Sequence, residues 1–313
     1  MRPRHAYAWL VPMALLSFAS LARAQEAPTP LVVFNAGSLG PPFRDLMSAF
    51  AAARGNIVPA QENSPSIEAV RKLTELGKVP DVLAVADYSL LPTLVLPRYA
   101  SWYVLFGSNA MVLIYSNQSV GAEEITTENW YQVLLRPGVR VGRSDFHVDP
   151  SGYRALMAMQ LAERFYKQPG LTEKLVAAAP DKYMRHSESD LGALVAAGEL
   201  DYGWTYESLA RAHQLKFVRL PPELDLSEPR LSDWYAQASV RIPGAPGQDS
   251  LTLKGEPIVF AATVPTNAPH RAAGEAFIKF LLGQEGKAIL DRSGFEALPA
   301  PVFRGDAPAS VKP

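Results

Sequence analysis

Between residues 31 and 85 the chain alternates short apolar runs with amphipathic stripes of helical period. Residues 31–34 are a β-branched and aromatic run, followed by the turn Asn35-Ala36-Gly37-Ser38-Leu39-Gly40. Pro41 and Pro42 then stiffen the entry to a helix in which Phe43, Leu46, Met47 and Phe50 share one face. A second run, 57–60, precedes Ser64-Pro65, which reads as a cap followed by proline at the first helical position. Ile67, Val70, Leu73 and Leu76 form the buried stripe of that helix, and Gly77 stops it. A third run covers 82–85 and ends in Asp87-Tyr88. Strand, loop and helix repeated in this way imply parallel strands with right-handed crossovers, because each helix must pack back onto the sheet its strands form.

The pattern changes at Trp102. Runs 102–106 and 111–115 are aromatic and β-branched, separated by Gly107-Ser108-Asn109, and read as strands carrying the chain out of the first unit. A second α/β unit follows: a strand at 139–141, a loop through Asp149, helices over 152–165 and near 191–197, and an extended segment 201–206. The proline-rich stretch 221–230 reads as a surface excursion. Residues 257–264 read as a strand, 273–282 and 286–290 as helices, and the Pro- and Ala-rich tail from about 299 as loosely held. The fold class is therefore α/β, with two lobes and a ligand cleft where the carboxyl ends of strands and the N-termini of helices converge. One large α/β domain is the competing arrangement.

The N-terminus reads as an export signal. Arg2 and Arg4 precede an apolar run over residues 8–21, and Ala22-Arg23-Ala24 supplies a small-x-small cleavage pattern. The run is shorter than the ~20 residues that span a bilayer. A signal peptide over 1–24, cleaved after Ala24, places the mature chain in the periplasm. Its loss takes three Arg and no acid from the 30 Lys/Arg and 31 Asp/Glu of the whole chain, leaving a formal charge of −4. That balance, without a basic block, argues against nucleic acid as a partner. It does not exclude a small anion, which a few local dipoles can hold. The chain has no cysteine, so disulfides, thiolate metal sites and a lipid anchor on an N-terminal cysteine are excluded.

Polar residues at helix starts are the functional signal. Ser38 lies in the glycine-flanked turn before the first helix and Ser66 in the first turn of the second; each can join a hydroxyl to free backbone N–H groups, which is how an uncharged surface binds an oxyanion. Either serine can equally be a plain cap. Asp149 before Pro150 is an N-cap by pattern, or a carboxylate turned into the cleft. Tyr206 closes the extended run Asp201-Tyr202-Gly203-Trp204-Thr205-Tyr206, as a donor or as packing. Asp87, Arg71 and Arg143 could support the site, although single charges near loops are usually solvated; His147 beside Asp149 falls short of a metal cluster, and Trp102, Tyr103, Phe106 and Tyr115 read as core or hinge lining. No phosphate loop with lysine, nucleophile elbow or His-rich metal pattern occurs, so the expectation is a binding protein, not an enzyme, with no cofactor.

Several strings in one collinear order carry a resemblance: Phe34-Asn35-Ala36-Gly37-Ser38-Leu39, Val70-Arg71-Lys72-Leu73-Thr74-Glu75-Leu76-Gly77-Lys78, Ala86-Asp87-Tyr88, Tyr99-Ala100-Ser101-Trp102-Tyr103-Val104, Asp149-Pro150-Ser151-Gly152-Tyr153-Arg154, Ala197-Gly198-Glu199-Leu200-Asp201-Tyr202 and Gly255-Glu256-Pro257-Ile258-Val259. Together they resemble the molybdate/tungstate-binding proteins of ABC transporters, in their WtpA-like branch. The resemblance implies a two-lobed periplasmic-binding-protein fold of type II topology: a first lobe from 25–115 and 263–313, a second lobe from 116–262 inserted between. It implies a monomer that serves a membrane permease, with Ser38 and Ser66 contacting the oxyanion, Asp149 approaching its molybdenum or tungsten atom and Tyr206 completing the donors. The WtpA-like proteins place a glutamate before that tyrosine, whereas this chain has Thr205. A hydroxyl donates to an oxyanion but does not replace a carboxylate beside the metal, so one carboxylate and a less expanded metal coordination are expected unless Glu207 turns inward. Asn35, where many relatives have His, and the loop 144–148 are further departures. Sulfate, phosphate or ferric iron on the same fold are the alternatives, the last suggested by Tyr202 and Tyr206.

Overall fold

The computed structural model describes residues 27–244, 247 and 249–312, so the export segment read at 1–24 lies outside the described residues. In chain order the first elements are β1 (Thr29–Ala36), α1 (Gly40–Arg54), β2 (Ile57–Ser64), α2 (Ser66–Thr74), β3 (Val82–Val85), β4 (Trp102–Ser108) and β5 (Met111–Tyr115). Then come α3 (Trp130–Leu134), β6 (Val141–Ser144), α4 (Pro150–Phe165), α5 (Leu171–Ala178), β7 (Met184–Arg185), α6 (Ser189–Ala196), β8 (Tyr202–Tyr206), α7 (Glu207–Ala212) and β9 (Lys216–Arg219). Last are α8 (Pro222–Asp225), α9 (Ser232–Tyr235), β10 (Ser239–Ile242), β11 (Leu251–Lys254), β12 (Val259–Thr263), α10 (Arg271–Leu282), α11 (Gln284–Arg292) and β13 (Glu296–Gly305).

The strands form two main sheets and one hairpin. The first sheet has the order β13-β4-β12-β3-β1-β2, the second β7-β6-β8-β5-β9, and among the described residues β10 pairs only with β11. Strand β1 runs parallel to β2 and β3, and β6 parallel to β7 and β8, so in each lobe several carboxyl ends point the same way. This is the two-lobed α/β architecture of the type II periplasmic-binding-protein fold. The chain passes from the first sheet to the second between β4 and β5 and returns to the first between β9 and β12, with the β10–β11 hairpin on the way. Both strands stand on the other side of the divisions the sequence suggested: β5 lies in the second sheet and β12 in the first.

Local chemistry explains the elements that carry the cleft. In α1 the expected stripe of Phe43, Leu46, Met47 and Phe50 is buried, and Gly55 ends the helix in the left-handed region, its N–H returning to Ala51 O. Phe277 of α10 fills the same core, with its ring 5.9 Å from Phe43 and 5.6 Å from Phe50. The cap reading of Ser64-Pro65 is corrected: β2 continues through Ser64, Pro65 occupies the cap and α2 starts at Ser66.

Two segments are held more tightly than their composition suggested. The tail expected to be loose forms β13, with Val302 opposite Leu105 and Phe303 opposite Val104, while Val311 is fully buried. Without β13, β4 would be the sheet's edge with a row of unpaired backbone groups, and the pairing satisfies them despite the prolines at 299 and 301. The stretch 221–230 is likewise no surface excursion, since Leu224 and Leu226 are both buried. Burial in the same turn pushes the Asp225 carboxyl from 3.8 up to about 6. Raised carboxyl affinity for protons favours the fold below pH 3.8, and that contribution is lost as pH rises through 6. Asp225→Asn is therefore expected to stabilise the protein by about 1–3 kcal/mol at pH 7.5 and by little at pH 4. Urea unfolding at both values checks this; the same difference at both would contradict it.

Candidate ligand-binding site

Neighbouring strands β2, β1 and β3 bring the first lobe's polar residues to one edge. After β1 the chain makes a single 3-10 turn, Gly37–Leu39, in which Ser38 is buried and its Oγ has no partner among the described residues. Ser66 opens α2, fully buried, and its Oγ accepts from Ala86 N at 3.0 Å just beyond β3. With a lone pair engaged in this way, the Ser66 hydroxyl keeps its proton for an acceptor in the cleft.

The second lobe contributes from β6, β8 and the starts of α4 and α6. Asp149 caps α4: its Oδ1 accepts from Ser151 N at 3.0 Å, while Oδ2 accepts from Glu188 N at 2.9 Å. The cap of one helix thus also fastens the start of the next. Glu188, directly before α6, is as deeply buried as Asp149, and its Oε2 accepts from Ser187 Oγ at 3.2 Å. Burial, then the neighbouring Glu188 charge, pushes the Asp149 carboxyl well above the usual range. At the end of β8, Thr205 and Tyr206 point to opposite faces. Thr205 shares its face with Gly203, against which Leu191 of α6 packs, and its buried Oγ1 has no partner among the described residues. Tyr206 OH accepts from Arg154 Nη1 at 2.9 Å, and burial holds the phenol neutral.

The two edges meet. Ile67 N donates to Val148 O at 3.2 Å, Arg154 Nη1 to Ala86 O at 2.7 Å, and Arg71 Nη2 to Pro243 O at 2.8 Å. Gly37 faces Ser187, Glu188 and Ser189 so closely that a Cβ on it would lie 2.7 Å from Ser187 Oγ and 3.5 Å from Glu188 Oε1. The cleft is closed on these contacts. A surface cavity of about 390 Å³ lined by Ile67, Arg71, Arg98, Tyr99, Pro243 and Asp249 adjoins the Arg71–Pro243 contact, and Ser38, Ser66, Asp149, Thr205 and Tyr206 are not in its lining.

The five residues singled out in the sequence, Ser38, Ser66, Asp149, Thr205 and Tyr206, lie at strand or helix ends, with Thr205 on the opposite face of β8 from Tyr206. Sequence reasoning missed Glu188, Arg154 and the burial of Asp87. A second buried carboxylate, Glu188, stands beside Asp149. Glu207 does not turn inward, because its Oε1 is taken by Arg211 at 2.7 Å and by Arg219. The available signal was Ser187-Glu188-Ser189 ahead of the apolar positions Leu191 and Val195, an acid flanked by hydroxyls at a helix start. Asp87, read as solvated, is buried and accepts from Ser89 N at 3.0 Å and from the Tyr153 hydroxyl. Arg143 is buried too, donating to Asp181 at 2.7 Å. The tyrosine pair suggested for ferric iron is split: Tyr202 OH donates to Val120 O at 2.8 Å, at the other end of β8 from Tyr206.

Residues 31–296 match the family described as bacterial extracellular solute-binding protein. The chain belongs to this family. Its members capture a solute and carry out no reaction on it. Among curated relatives, this solute-binding protein is 39% identical over 295 residues to an uncharacterized solute-binding protein of Petrotoga mobilis, covering 94% of this chain and 92% of the relative. It is 37% identical over 318 residues to the molybdate/tungstate-binding protein WtpA of Thermococcus kodakarensis, covering 93% of this chain and 88% of that one. Among solved structures, the periplasmic molybdate-binding protein of Azotobacter vinelandii matches with a TM-score of 0.61 at 19% identity, over 86% of this chain and 99% of the other. The sulfate-binding protein SubI of Mycobacterium tuberculosis gives 0.61 at 17%, over 90% and 89%. These two likenesses speak to the fold of the solute-binding protein alone.

Proposed function

We propose that this chain is the periplasmic capture subunit of an ABC importer, that it closes on molybdate or tungstate, and that it delivers the anion to a membrane permease. The observation that carries this reading is the set of buried hydroxyls left to donate. Ser38 Oγ and Thr205 Oγ1 have no partner among the described residues, and the Ser66 and Tyr206 oxygens are each already accepting from an N–H. Buried hydroxyls without partners are costly in a finished core, so a site that collects them expects an acceptor. Likeness to the molybdate/tungstate-binding protein WtpA and the family resemblance favour a metal oxyanion as that acceptor. Asp149 and Glu188 fit the same choice, because molybdenum and tungsten accept added oxygen ligands whereas sulfur in sulfate does not.

Metal analysis of protein purified after growth with trace molybdate and tungstate, followed by competition calorimetry, tests the reading. Molybdenum or tungsten close to one per chain, undisplaced by excess sulfate or phosphate, is the expected result. A protein that binds sulfate or phosphate more tightly than either metalate sinks it. Ser38→Ala and Ser66→Ala each remove one donor to a charged ligand, about 1.5–3 kcal/mol, and so are expected to weaken binding roughly ten- to 150-fold. Unchanged affinity in both variants would place the anion elsewhere.

A further inference from the structure

We propose that Arg154 is the positioning residue that sets the oxyanion donors of both lobes at once; this rests on the cleft being the oxyanion site. Arg154 lies in α4 of the second lobe, one turn beyond the Asp149 cap, and is buried. One nitrogen serves two acceptors: Nη1 donates to Ala86 O of the first lobe at 2.7 Å and to Tyr206 OH of the second at 2.9 Å. Ala86 is also held through its N–H, which donates to Ser66 Oγ at 3.0 Å. The guanidinium therefore occupies the Tyr206 lone pair directly and fixes the residue that occupies the Ser66 lone pair. A hydroxyl whose lone pair is filled from one side presents its proton to the other. Both hydroxyls are thereby made donors, one in each lobe.

Charge supports the assignment. A buried guanidinium needs a counterion, and Nη2 lies 3.4 Å from Oδ2 of Asp87, a first-lobe carboxylate that also accepts from Tyr153 OH. Arg154 thus belongs to one lobe by its helix and touches the other through both Ala86 and Asp87. Lysine would keep the charge but not the planar fork that reaches several acceptors together.

Calorimetry with sodium molybdate on the full chain separates positioning from plain structural support. Tyr206→Phe is expected to cost about tenfold in affinity in the wild-type background, and Arg154→Met at least as much. In the Arg154→Met background the further effect of Tyr206→Phe should shrink to about twofold or less, because the tyrosine's orientation is already lost. Arg154→Lys should bind between wild type and Arg154→Met, and supports the same cycle with Tyr206→Phe should the methionine variant fail to fold. Effects of Arg154 and Tyr206 that simply multiply, in whichever background folds, overturn the proposal, as does wild-type affinity in Arg154→Met. A wild-type protein that takes up none of molybdate, tungstate, sulfate or phosphate sinks the cleft reading itself, before any variant is compared.

Discussion

Gly37→Val is expected to lower affinity for the bound oxyanion by at least about a hundredfold, while leaving the thermal midpoint of the ligand-free protein within about 2 °C. The turn at Gly37 meets the Ser187–Ser189 segment across the cleft: a Cβ would come within 2.7 Å of Ser187 Oγ, which can rotate aside, but the γ-methyl groups of valine would also crowd Glu188 Oε1 and Ser189 Oγ, each 3.5 Å from that Cβ. Closing on such an obstruction forces overpacking, typically about 1–3 kcal/mol per misfit, and also separates Ser38 from the second-lobe donors. The penalty falls on the closed form, since the lobes can part and accommodate the valine at the surface. Alanine, smaller by two methyl groups, should give an intermediate loss. Small-angle scattering with saturating molybdate would show the valine variant remaining extended where wild type contracts. A valine variant that binds and contracts like wild type would mean that the ligand is held without this contact.

The second large effect concerns selectivity. Glu188→Gln should reduce the preference for molybdate over sulfate by about thirtyfold or more, by strengthening sulfate binding and weakening molybdate binding together. The substitution is nearly isosteric and leaves the backbone bond from residue 188 N to Asp149 Oδ2 at 2.9 Å available. It removes one of two adjacent acids, and so lessens repulsion of a dianion that cannot bond to carboxylate oxygens. The same variant should alter the pH dependence of stability. Asp149, raised by burial and by Glu188, binds its proton more tightly folded than unfolded. Its contribution is therefore present at low pH and lost as pH climbs from the ordinary carboxyl range through the raised value. Without the Glu188 charge that loss should still begin in the ordinary carboxyl range but end at lower pH, and so be smaller. X-ray absorption at the molybdenum edge gives an independent reading: an unchanged metal environment in Glu188→Gln, with unchanged sulfate competition, would remove Glu188 from the ligand's surroundings.

Much of this site was legible because helix starts are written locally. Ser38, Ser66 and Asp149 are recognisable from the glycine and proline around them and from the apolar stripe that follows, and each sits where a strand hands over to a helix. Tyr206 followed from the end of an extended aromatic run. Glu188 and Arg154 were not legible, because what defines them is distance along the chain: Glu188 N bonds a carboxylate 39 residues away, and Arg154 reaches a carbonyl 68 residues away. Nothing in the residues adjoining Arg154 marks it as more than a charge in a helix. The tail failed for a related reason. Its Pro-Ala composition signals a loose end, and only the unpaired edge of β4, far earlier in the sequence, turns it into a strand. Glu207 shows the limit of proximity in sequence. Two positions from Thr205, it is drawn outward by Arg211 and Arg219.

The first sheet takes its central strands from the opening of the described chain and its edge strand β13 from the close, with the whole second sheet encoded between them. A chain growing or threading from its N-terminus can therefore complete the second sheet while the first still waits for β12 and β13. Pairings of such long sequence separation form late and slowly. The half of the cleft that carries Ser38 and Ser66 acquires its full support only when the final residues arrive, so a nascent or truncated chain passes through a stage at which one jaw is finished and the other is not. On the proposed function, a chain at that stage would offer the anion only one finished jaw.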